Sequence, residues 1–331
     1  MDFVKEMKAK AKAAPKNLVL PEGGDLTVMK AARQIIDENL AKSVTLLGNI
    51  SEINEIAKKE GVNLSDIQLI CPKNDAKLDE YANTYFEKRK HKGMTEQQAK
   101  IDLTDPLRWG AMMVNLGTVD AMVAGAINPT GDVLRAGLTI IGTEAGLKTA
   151  SSCFVMTDLD TQFGKDGAMI FSDCAVIPNP TAEQLADIAE SAAKSCREFL
   201  GAEPVVALLS FSSKGSAKHD DVTKVQSAVE ILKGRNPNFL FDGELQADSA
   251  LIPAILDKKA AGSPIRGKVN TLIFPNLDAG NIGYKLVQRL GKAQAFGPFL
   301  QGFAKPICDL SRGASVDDIV TTCAATLVSA K

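Results

Sequence analysis

Short apolar runs of four or five residues alternate with longer segments of helical period over the first 145 residues. Continuous apolar runs are typical of parallel strands covered on both faces, and the longer segments supply the crossover helices. The pattern predicts strands at 17–20, 43–47, 67–70 and 121–124, and helices at 27–39, 51–60, 76–90, 106–116 and 133–142. This part of the chain is therefore predicted to form an α/β domain with a mostly parallel sheet.

The pattern changes after Ala150. Two strand-like runs, 152–156 and 168–171, are joined by a polar loop too short for a crossover helix, so they predict an antiparallel hairpin. The alternation then returns, with helices predicted at 182–200 and 222–232 and strands at 205–209, 239–241 and 269–274. We expect a second domain that begins with this hairpin.

The length of 331 residues exceeds the size at which one hydrophobic core keeps growing, so two domains are expected. We place the first α/β domain, which is discontinuous and carries the C-terminal motif, at 1–145 plus 296–331. The second, inserted α/β domain is placed at 146–295. Glycines and a proline between 291 and 302 indicate where the chain returns. A cleft with walls from both domains is the expected ligand site.

Composition excludes several classes of protein. The 38 lysine and arginine residues nearly balance the 40 aspartate and glutamate residues, so nucleic-acid binding is not expected. No apolar stretch approaches the roughly 18 residues that would span a membrane. Six cysteines without C-x-x-C spacing and two histidines predict neither disulfides nor a metal site. We therefore expect a cytoplasmic protein with small-molecule partners.

A hydroxyl, a guanidinium and carboxylates lie close together in the segment 305–318, where a helix is predicted to begin. Arg312 offers a planar fork that suits phosphate or carboxylate, and Ser311 adds a donor beside it. This combination indicates a phosphorylated substrate. Ser315 and Asp318 also form an S-x-x-D pattern, which caps a helix without any substrate, so both interpretations of Asp318 remain open.

Two other segments carry cations at the ends or faces of predicted helices. Arg89 lies in the basic run 88–92, which is either a solvated last helical turn or one wall of an anion site. Lys285 and Arg289 are spaced i, i+4 and share one helical face, with Tyr284 beside them. That face is either a substrate-binding surface or an exposed basic stripe.

The segment 125–135 follows a predicted strand and leads into a helix. Its loop amides and the Thr130 hydroxyl are placed to receive a phosphate, and Arg135 follows in the second helical turn. The spacing matches neither a dinucleotide fingerprint nor a P-loop. Asn-Pro-Thr-Gly is also a good turn and cap by itself, so a purely structural role is the alternative.

Taken together, these segments resemble the phosphate acetyltransferase (phosphotransacetylase) family, in its short single-module form. The similarity covers essentially the whole chain. The residues that carry it are Val19–Gly23, Arg89–Gly93, Thr130–Arg135, Asn276–Leu290, and Lys305–Gly313 with Asp318.

The resemblance implies an enzyme that exchanges acetyl groups between coenzyme A and inorganic phosphate, with no permanently bound cofactor and with coenzyme A or acetyl-CoA as substrate. It also implies a homodimer. The implied fold is the two-domain, three-layer αβα architecture of isocitrate and isopropylmalate dehydrogenases, with the site in the interdomain cleft.

By the same resemblance Ser311, Arg312 and Asp318 form the catalytic centre, whereas Arg89 and Arg135 bind substrate. We add Thr130, Tyr284, Lys285 and Arg289 as substrate-binding candidates. One departure is Pro129, which stands where a hydroxyl residue is expected and supplies neither a hydroxyl nor an amide donor.

A direct reaction fits these residues. The thiol of coenzyme A, with a pKa near 8.5, needs a base to attack acetyl phosphate, and Asp318 is the candidate, although that role requires burial. Ser311 suits the acyl oxygen and the arginines suit phosphate. Cys308 has no activating histidine in its motif, so a covalent acyl-cysteine route is disfavoured. The alternatives are a phosphate butyryltransferase, a metal- and NAD-dependent dehydrogenase of the same fold, and a non-catalytic CoA-binding protein.

Overall fold

The chain divides into two units, each built around its own sheet. The computed structural model describes residues 1–266 and 268–330. What we call the flanking unit consists of Val4–Glu144 and Phe303–Lys331. The inserted unit consists of Met1–Phe3 and Ala145–Gly302.

Eleven strands occur in the described part of the chain and form a five-stranded and a six-stranded sheet. They are β1 (Asn17–Leu20), β2 (Ser43–Leu47), β3 (Ile67–Ile70), β4 (Ala121–Ala124), β5 (Ser151–Thr157), β6 (Met169–Ser172), β7 (Val205–Leu209), β8 (Leu240–Leu245), β9 (Thr271–Ile273), β10 (Gln294–Gln301) and β11 (Ile307–Asp309).

The α-helices of the same residues are α1 (Phe3–Ala13), α2 (Leu26–Asp37), α3 (Ile50–Glu60), α4 (Leu78–Arg89), α5 (Glu96–Asp102), α6 (Pro106–Leu116), α7 (Thr130–Ala136), α8 (Ala182–Ser195), α9 (Asp220–Arg235), α10 (Ala247–Leu251), α11 (Pro253–Lys259), α12 (Leu277–Leu290) and α13 (Val316–Ser329). Helices α7 and α8 each continue into one π-helical turn, at Gly137–Ile141 and Cys196–Leu200.

The flanking unit has a fully parallel sheet in the order β11-β4-β1-β2-β3. Strands β1 to β4 have the bounds that the apolar runs predicted. All four residues of β4 are buried, and helices α6 and α13 both pack against this strand. Because β4 and β11 are parallel neighbours, the residues that follow them meet at one edge of the sheet.

The inserted unit has a mixed sheet in the order β10-β5-β6-β9-β7-β8. Strand β5 pairs antiparallel with both β6 and β10, whereas the remaining pairs are parallel. The predicted hairpin is confirmed, because Cys153 lies opposite Ser172 and Met156 lies opposite Met169. The core of this unit includes Phe154, Phe171 and Leu272.

Strand β10 differs from the sequence-based expectation. Glycines and a proline at 291–302 suggested a loop with the chain returning at 296, yet Gln294–Gln301 pair with β5, and the inserted unit extends to Gly302. Gly297 and Pro298 coincide with a shift of register between Phe296 and Phe299. A bulged edge strand tolerates both residue types, which explains why the turn signal was misleading.

Helices alternate with strands in both units, and the predicted α/β class is confirmed. The short helices α5, α10 and α11 were not predicted, because segments of five to seven residues carry too little periodicity. None of the helices within 1–266 and 268–330 is long and apolar enough to cross a membrane.

Candidate active site

The C-terminal motif begins where β11 ends, at the carboxyl edge of the parallel sheet. Ser311 and Arg312 lie on an exposed turn, which is closed by a 2.9 Å hydrogen bond from the amide of Ala314 to the carbonyl oxygen of Ser311. Across the described part of the chain, the Arg312 guanidinium has no hydrogen-bond or ion-pair partner. As far as the described residues go, the guanidinium of Arg312 is therefore available to bind an anion.

Asp318 is the third helical residue of α13 and takes part in a capping box. Its Oδ2 accepts from the amide of Ser315 at 2.9 Å and from the Ser315 hydroxyl at 2.7 Å. The amide of Asp318 donates in return to Ser315 Oγ at 3.2 Å. The S-x-x-D interpretation is confirmed. Asp318 is exposed, so the burial that a general base would need is not present, and its catalytic role remains a prediction.

The loop after β4 is held by the buried carboxylate of Glu22, which follows β1. Glu22 Oε2 accepts from the amides of Gly125 (2.9 Å) and Ala126 (2.8 Å). Glu22 Oε1 accepts from the amides of Ile127 (3.0 Å) and Asn128 (2.7 Å) and from the Asn128 side chain (2.8 Å). An internal carboxylate therefore occupies the amides of residues 125–128, and the part of the phosphate hypothesis that remains a prediction rests on Thr130 and the start of α7.

Thr130 begins α7 immediately beyond this loop. Its hydroxyl donates to Oδ2 of Asp309, the last residue of β11, at 2.6 Å. Asp309 is 3% exposed, and its buried Oδ1 has no hydrogen-bond partner among the residues that the structure describes. Burial first and the charge of Glu22 second raise the pKa of Asp309 to about 6, although the hydrogen bond from Thr130 and the amide of Leu310 act in the opposite direction.

Gly125 makes the close approach of β4 and Asp309 sterically feasible. A Cβ at Gly125 would lie 2.4 Å from Asp309 Oδ1 and 2.6 Å from the amide nitrogen of Leu310. The φ of Gly125 is +115°, a conformation that other residues rarely adopt. Thr130 and the Ser311–Arg312 turn are thus brought together through Asp309.

The basic run predicted around Arg89 covers the end of α4 and a following 3₁₀ turn. Lys88 Nζ donates to Asn115 Oδ1 at 2.6 Å and to the carbonyl of Ile140 at 2.5 Å. Lys305 Nζ donates to the carbonyl of Asn115 at 3.0 Å, and burial together with this second cation lowers the pKa of Lys88. Arg89 is half-buried, and its buried Nε has no hydrogen-bond partner in residues 1–266 and 268–330.

Arg135 is exposed on α7, with its side chain 64% accessible. Its Nη1 lies 3.0 Å from Asp132 Oδ1, three residues earlier on the same helix. Such an exposed pair contributes little to stability, so the guanidinium is free to exchange Asp132 for a stronger anion.

The remaining candidates belong to α12 in the inserted unit. Tyr284 stacks on Phe154, with ring centroids 4.0 Å apart and planes at 17°, and burial raises the pKa of its hydroxyl. Lys285 Nζ donates to Asn281 Oδ1 at 2.8 Å, and Arg289 is exposed. Tyr284 therefore packs against the core of the inserted unit, whereas the charged side chains of Lys285 and Arg289 are exposed to solvent.

Sequence reasoning missed Glu22 and Asp309, the two buried carboxylates of this edge. Both stand at the carboxyl end of a strand of the parallel sheet: Glu22 follows β1 after one intervening residue, and Asp309 is the last residue of β11. Acidic residues are rarely buried without a partner. Among residues 1–266 and 268–330, no group of three or more His, Cys, Asp or Glu side chains is arranged to hold a metal ion.

The fold is that of two-domain α/β proteins with separate sheets. A 4-hydroxythreonine-4-phosphate dehydrogenase from Klebsiella pneumoniae shares it, with a TM-score of 0.55 over 95% of this chain and 98% of that chain. At 11% identity this likeness concerns the fold alone.

A sequence model described as "Phosphate acetyl/butaryl transferase" matches residues 2–327, and the chain belongs to this family. The phosphate acetyltransferase of Treponema pallidum (strain Nichols) is 57% identical over 99% of this chain and 98% of its own length. The crystal structure of a phosphotransacetylase from Streptococcus pyogenes is 39% identical, with a TM-score of 0.92 over 98% of this chain and 97% of that one. The resemblance inferred from the sequence motifs is confirmed.

Proposed function

We propose that this protein is a phosphate acetyltransferase, which converts acetyl-CoA and phosphate to coenzyme A and acetyl phosphate and catalyses the reverse reaction. The observation that carries the proposal is the 57% identity, over nearly the full length of both chains, to the phosphate acetyltransferase of Treponema pallidum. The uncommitted guanidinium of Arg312 beside Ser311 supports it, because an anion would find both donors on one exposed turn.

The chemistry follows from these groups in the direction of acetyl-CoA formation. Asp318 accepts the thiol proton of coenzyme A, and the sulfur forms a bond to the acyl carbon of acetyl phosphate. The bond from that carbon to the phosphate oxygen then breaks, and phosphate leaves with the electron pair. Ser311 donates to the acyl oxygen, and Arg312 with Arg89 and Arg135 stabilises the leaving phosphate.

Charge supports a role for α12 in holding coenzyme A. Lys285 and Arg289 are exposed and share one face of the helix, where they match the negative charge of the phosphates of coenzyme A. Tyr284 is held by Phe154 and offers its hydroxyl edge. We propose that Lys285 and Arg289 contact these phosphates and that Tyr284 lines the same surface.

We further propose a cytoplasmic homodimer. Ile282, Leu286 and Leu290 follow one another at i, i+4 and i+8 on α12 and are 56%, 52% and 78% exposed. Three large apolar side chains in one exposed row are typical of a surface that a second copy covers. Light scattering should give twice the chain mass, and L286E should halve it; a monomeric wild type would contradict the dimer.

One assay tests the enzymatic proposal: release of free thiol from acetyl-CoA that depends on phosphate, with propionyl-CoA and butyryl-CoA in parallel. Acetyl-CoA should be the preferred substrate. Preference for butyryl-CoA would identify a phosphate butyryltransferase instead, and binding of all three without release would identify a non-catalytic CoA-binding protein. Magnesium-dependent reduction of NAD by a 2-hydroxy acid would favour the dehydrogenase alternative.

A further inference from the structure

Thr130 and Asp309 share one hydrogen bond, and its direction depends on whether Asp309 is ionised. A threonine hydroxyl has one proton to donate and two lone pairs that accept. Thr130 Oγ1 lies 2.6 Å from Asp309 Oδ2, and the hydroxyl donates its hydrogen bond to the carboxylate whenever Asp309 is ionised. In that state the Thr130 oxygen presents only lone pairs to its surroundings, and it repels an oxygen of a fully ionised phosphate.

Protonation of Asp309 reverses the direction of this hydrogen bond. The neutral carboxyl donates from Oδ2 to Thr130 Oγ1, and the Thr130 proton becomes available to an anion. Protonation also stabilises Asp309 itself, because its buried Oδ1 has no partner within the described part of the chain and an ionised oxygen is costly there.

Burial and the Glu22 carboxylate, from the loop after β1, favour the neutral form of the Asp309 carboxyl, whereas the Thr130 hydroxyl at the start of α7 and the Leu310 amide favour its ionised form. The backbone of Gly125 also lies against the carboxyl. The amide of Leu310 donates to the carbonyl of Ala124 at 2.7 Å and so cannot fully serve Asp309.

Among the described residues, no cation acts on the pKa of the Asp309 carboxyl. Helix α13 also packs against β11, but its charged residues Asp317 and Asp318 lie in its exposed first turn. Helix α7 contributes the partly exposed Asp132 and the exposed Arg135, which pair with each other.

We propose that Asp309 is a positioning residue that couples anion binding at Thr130 to the uptake of one proton by its own carboxyl. The inference rests on the proposed function, in which Thr130 contacts the substrate phosphate. It adds a residue to that site and a proton to the binding equilibrium: the anion binds to the form in which Asp309 is neutral and Thr130 donates outward.

Sulfate is the probe that tests this inference, because it is a tetrahedral dianion that does not titrate over the relevant range. Calorimetry of sulfate binding to the full chain between pH 5.5 and 8, in buffers of different ionisation enthalpy, gives the dissociation constant and the number of protons taken up. Above pH 6 we expect uptake that approaches one proton, and a dissociation constant that rises about tenfold per pH unit.

Variants test whether Asp309 is the group that takes up the proton. D309N should bind sulfate without the proton uptake attributed to Asp309 and with a correspondingly flatter pH dependence, whereas D317N, at an exposed carboxylate of α13, should behave as the wild type. T130V should weaken binding and remove the pH dependence, and T130S should restore most of both. The Thr130 variants keep the test decisive if D309N does not fold.

Equal proton uptake by wild type and D309N would overturn the inference, as would absence of sulfate binding. Turnover measured on the same samples separates the two proposals. Phosphate-dependent thiol release with no proton linkage would support the enzymatic proposal and contradict the role of Asp309. Proton-linked sulfate binding without thiol release would support the role of Asp309 and contradict the enzymatic proposal.

Discussion

Ser315 and Asp318 form reciprocal hydrogen bonds. The Ser315 hydroxyl donates to Asp318 Oδ2 at 2.7 Å, and the Asp318 amide donates to Ser315 Oγ at 3.2 Å. The pair fixes the first turn of α13 directly after the exposed Ser311–Arg312 turn. A carboxylate so placed is a structural cap, and in the proposed reaction it is also the base.

The substitution D318N separates these two roles. Asparagine keeps an oxygen that accepts from Ser315 but cannot take the thiol proton. We expect kcat to fall about 10²-fold or more, since general bases contribute about 10²- to 10⁴-fold, with a loss of stability of about 1 kcal/mol or less. Steady-state kinetics and urea unfolding measure the two effects.

Asp317 provides the matched control, because it is an exposed carboxylate in the same helical turn. D317N should keep kcat within about twofold, as expected for a surface change of about 0.5 kcal/mol or less. Near-normal turnover in D318N would show that Asp318 only caps the helix.

Arg312 is predicted to act only on bound substrate. Because its guanidinium has no partner in the described residues, R312Q should change the free energy of unfolding by about 0.5 kcal/mol or less. Loss of a donor to developing negative charge typically costs about 10²- to 10³-fold in rate, and we expect that loss in kcat. K30Q, at an exposed lysine of α2, is the control for charge. Retained kcat in R312Q would remove Arg312 from the catalytic centre.

Glu22 is predicted to stabilise the loop that precedes Thr130. E22Q replaces one acceptor oxygen by an NH₂ group that faces backbone donors, so at least one buried hydrogen bond to a charged group is lost. We expect the free energy of unfolding to fall by about 3 kcal/mol in urea titrations. E55Q, on the exposed face of α3, should stay near the wild type. Equal stability of the two variants would contradict the role of Glu22.

Gly125 is predicted to tolerate no side chain. In G125A the new Cβ would clash with Asp309 Oδ1 and the Leu310 amide in a backbone conformation that already disfavours alanine. We expect a loss of about 2 kcal/mol or more, seen in the midpoint of thermal unfolding. At Gly131 a Cβ meets nothing within 4 Å, so G131A should cost about 0.5 kcal/mol or less. A G125A protein as stable as G131A would disprove this packing.

Asp309 should make stability depend on pH. Its pKa is raised from 3.8 to about 6 on folding, so the native state binds more protons between these values. The stabilisation from Asp309 is complete below about pH 4 and is lost as the pH rises through about 6, by up to roughly 3 kcal/mol. Urea unfolding at pH 4.5 and 7 should show this decrease in the wild type but not in D309N. A decrease of the same size in both proteins would refute it.

The sequence located most of the parallel strands because their physics is local. Strands β1, β2 and β4 are largely buried apolar runs, and a run of this kind can be recognised without tertiary information. Strand β10 was missed because Gly297 and Pro298 indicate a turn, and only pairing with β5 makes them part of a strand.

The candidate site was predicted less completely than the fold. Arg312, Ser311 and Asp318 became candidates because donors and carboxylates concentrated at the start of a helix indicate an anion, and their catalytic role remains a prediction. Glu22 and Asp309 were not singled out within their segments, because a single acidic residue at or just after the end of a strand has no pattern of its own. Their partners are distant: Glu22 reaches Asn128 across 106 residues, and Thr130 reaches Asp309 across 179.

By itself, the sequence determined the alternation of helices and strands, the family, and the set of cations and hydroxyls that suit a phosphate. Local periodicity and short motifs carry that information. Only the tertiary structure decided that the loop amides at 125–128 donate to Glu22 and that the Thr130 hydroxyl donates to Asp309. The physical reason is that the state of a buried carboxylate depends on which groups surround it, and those groups are assembled by the packing of β1, β4 and β11.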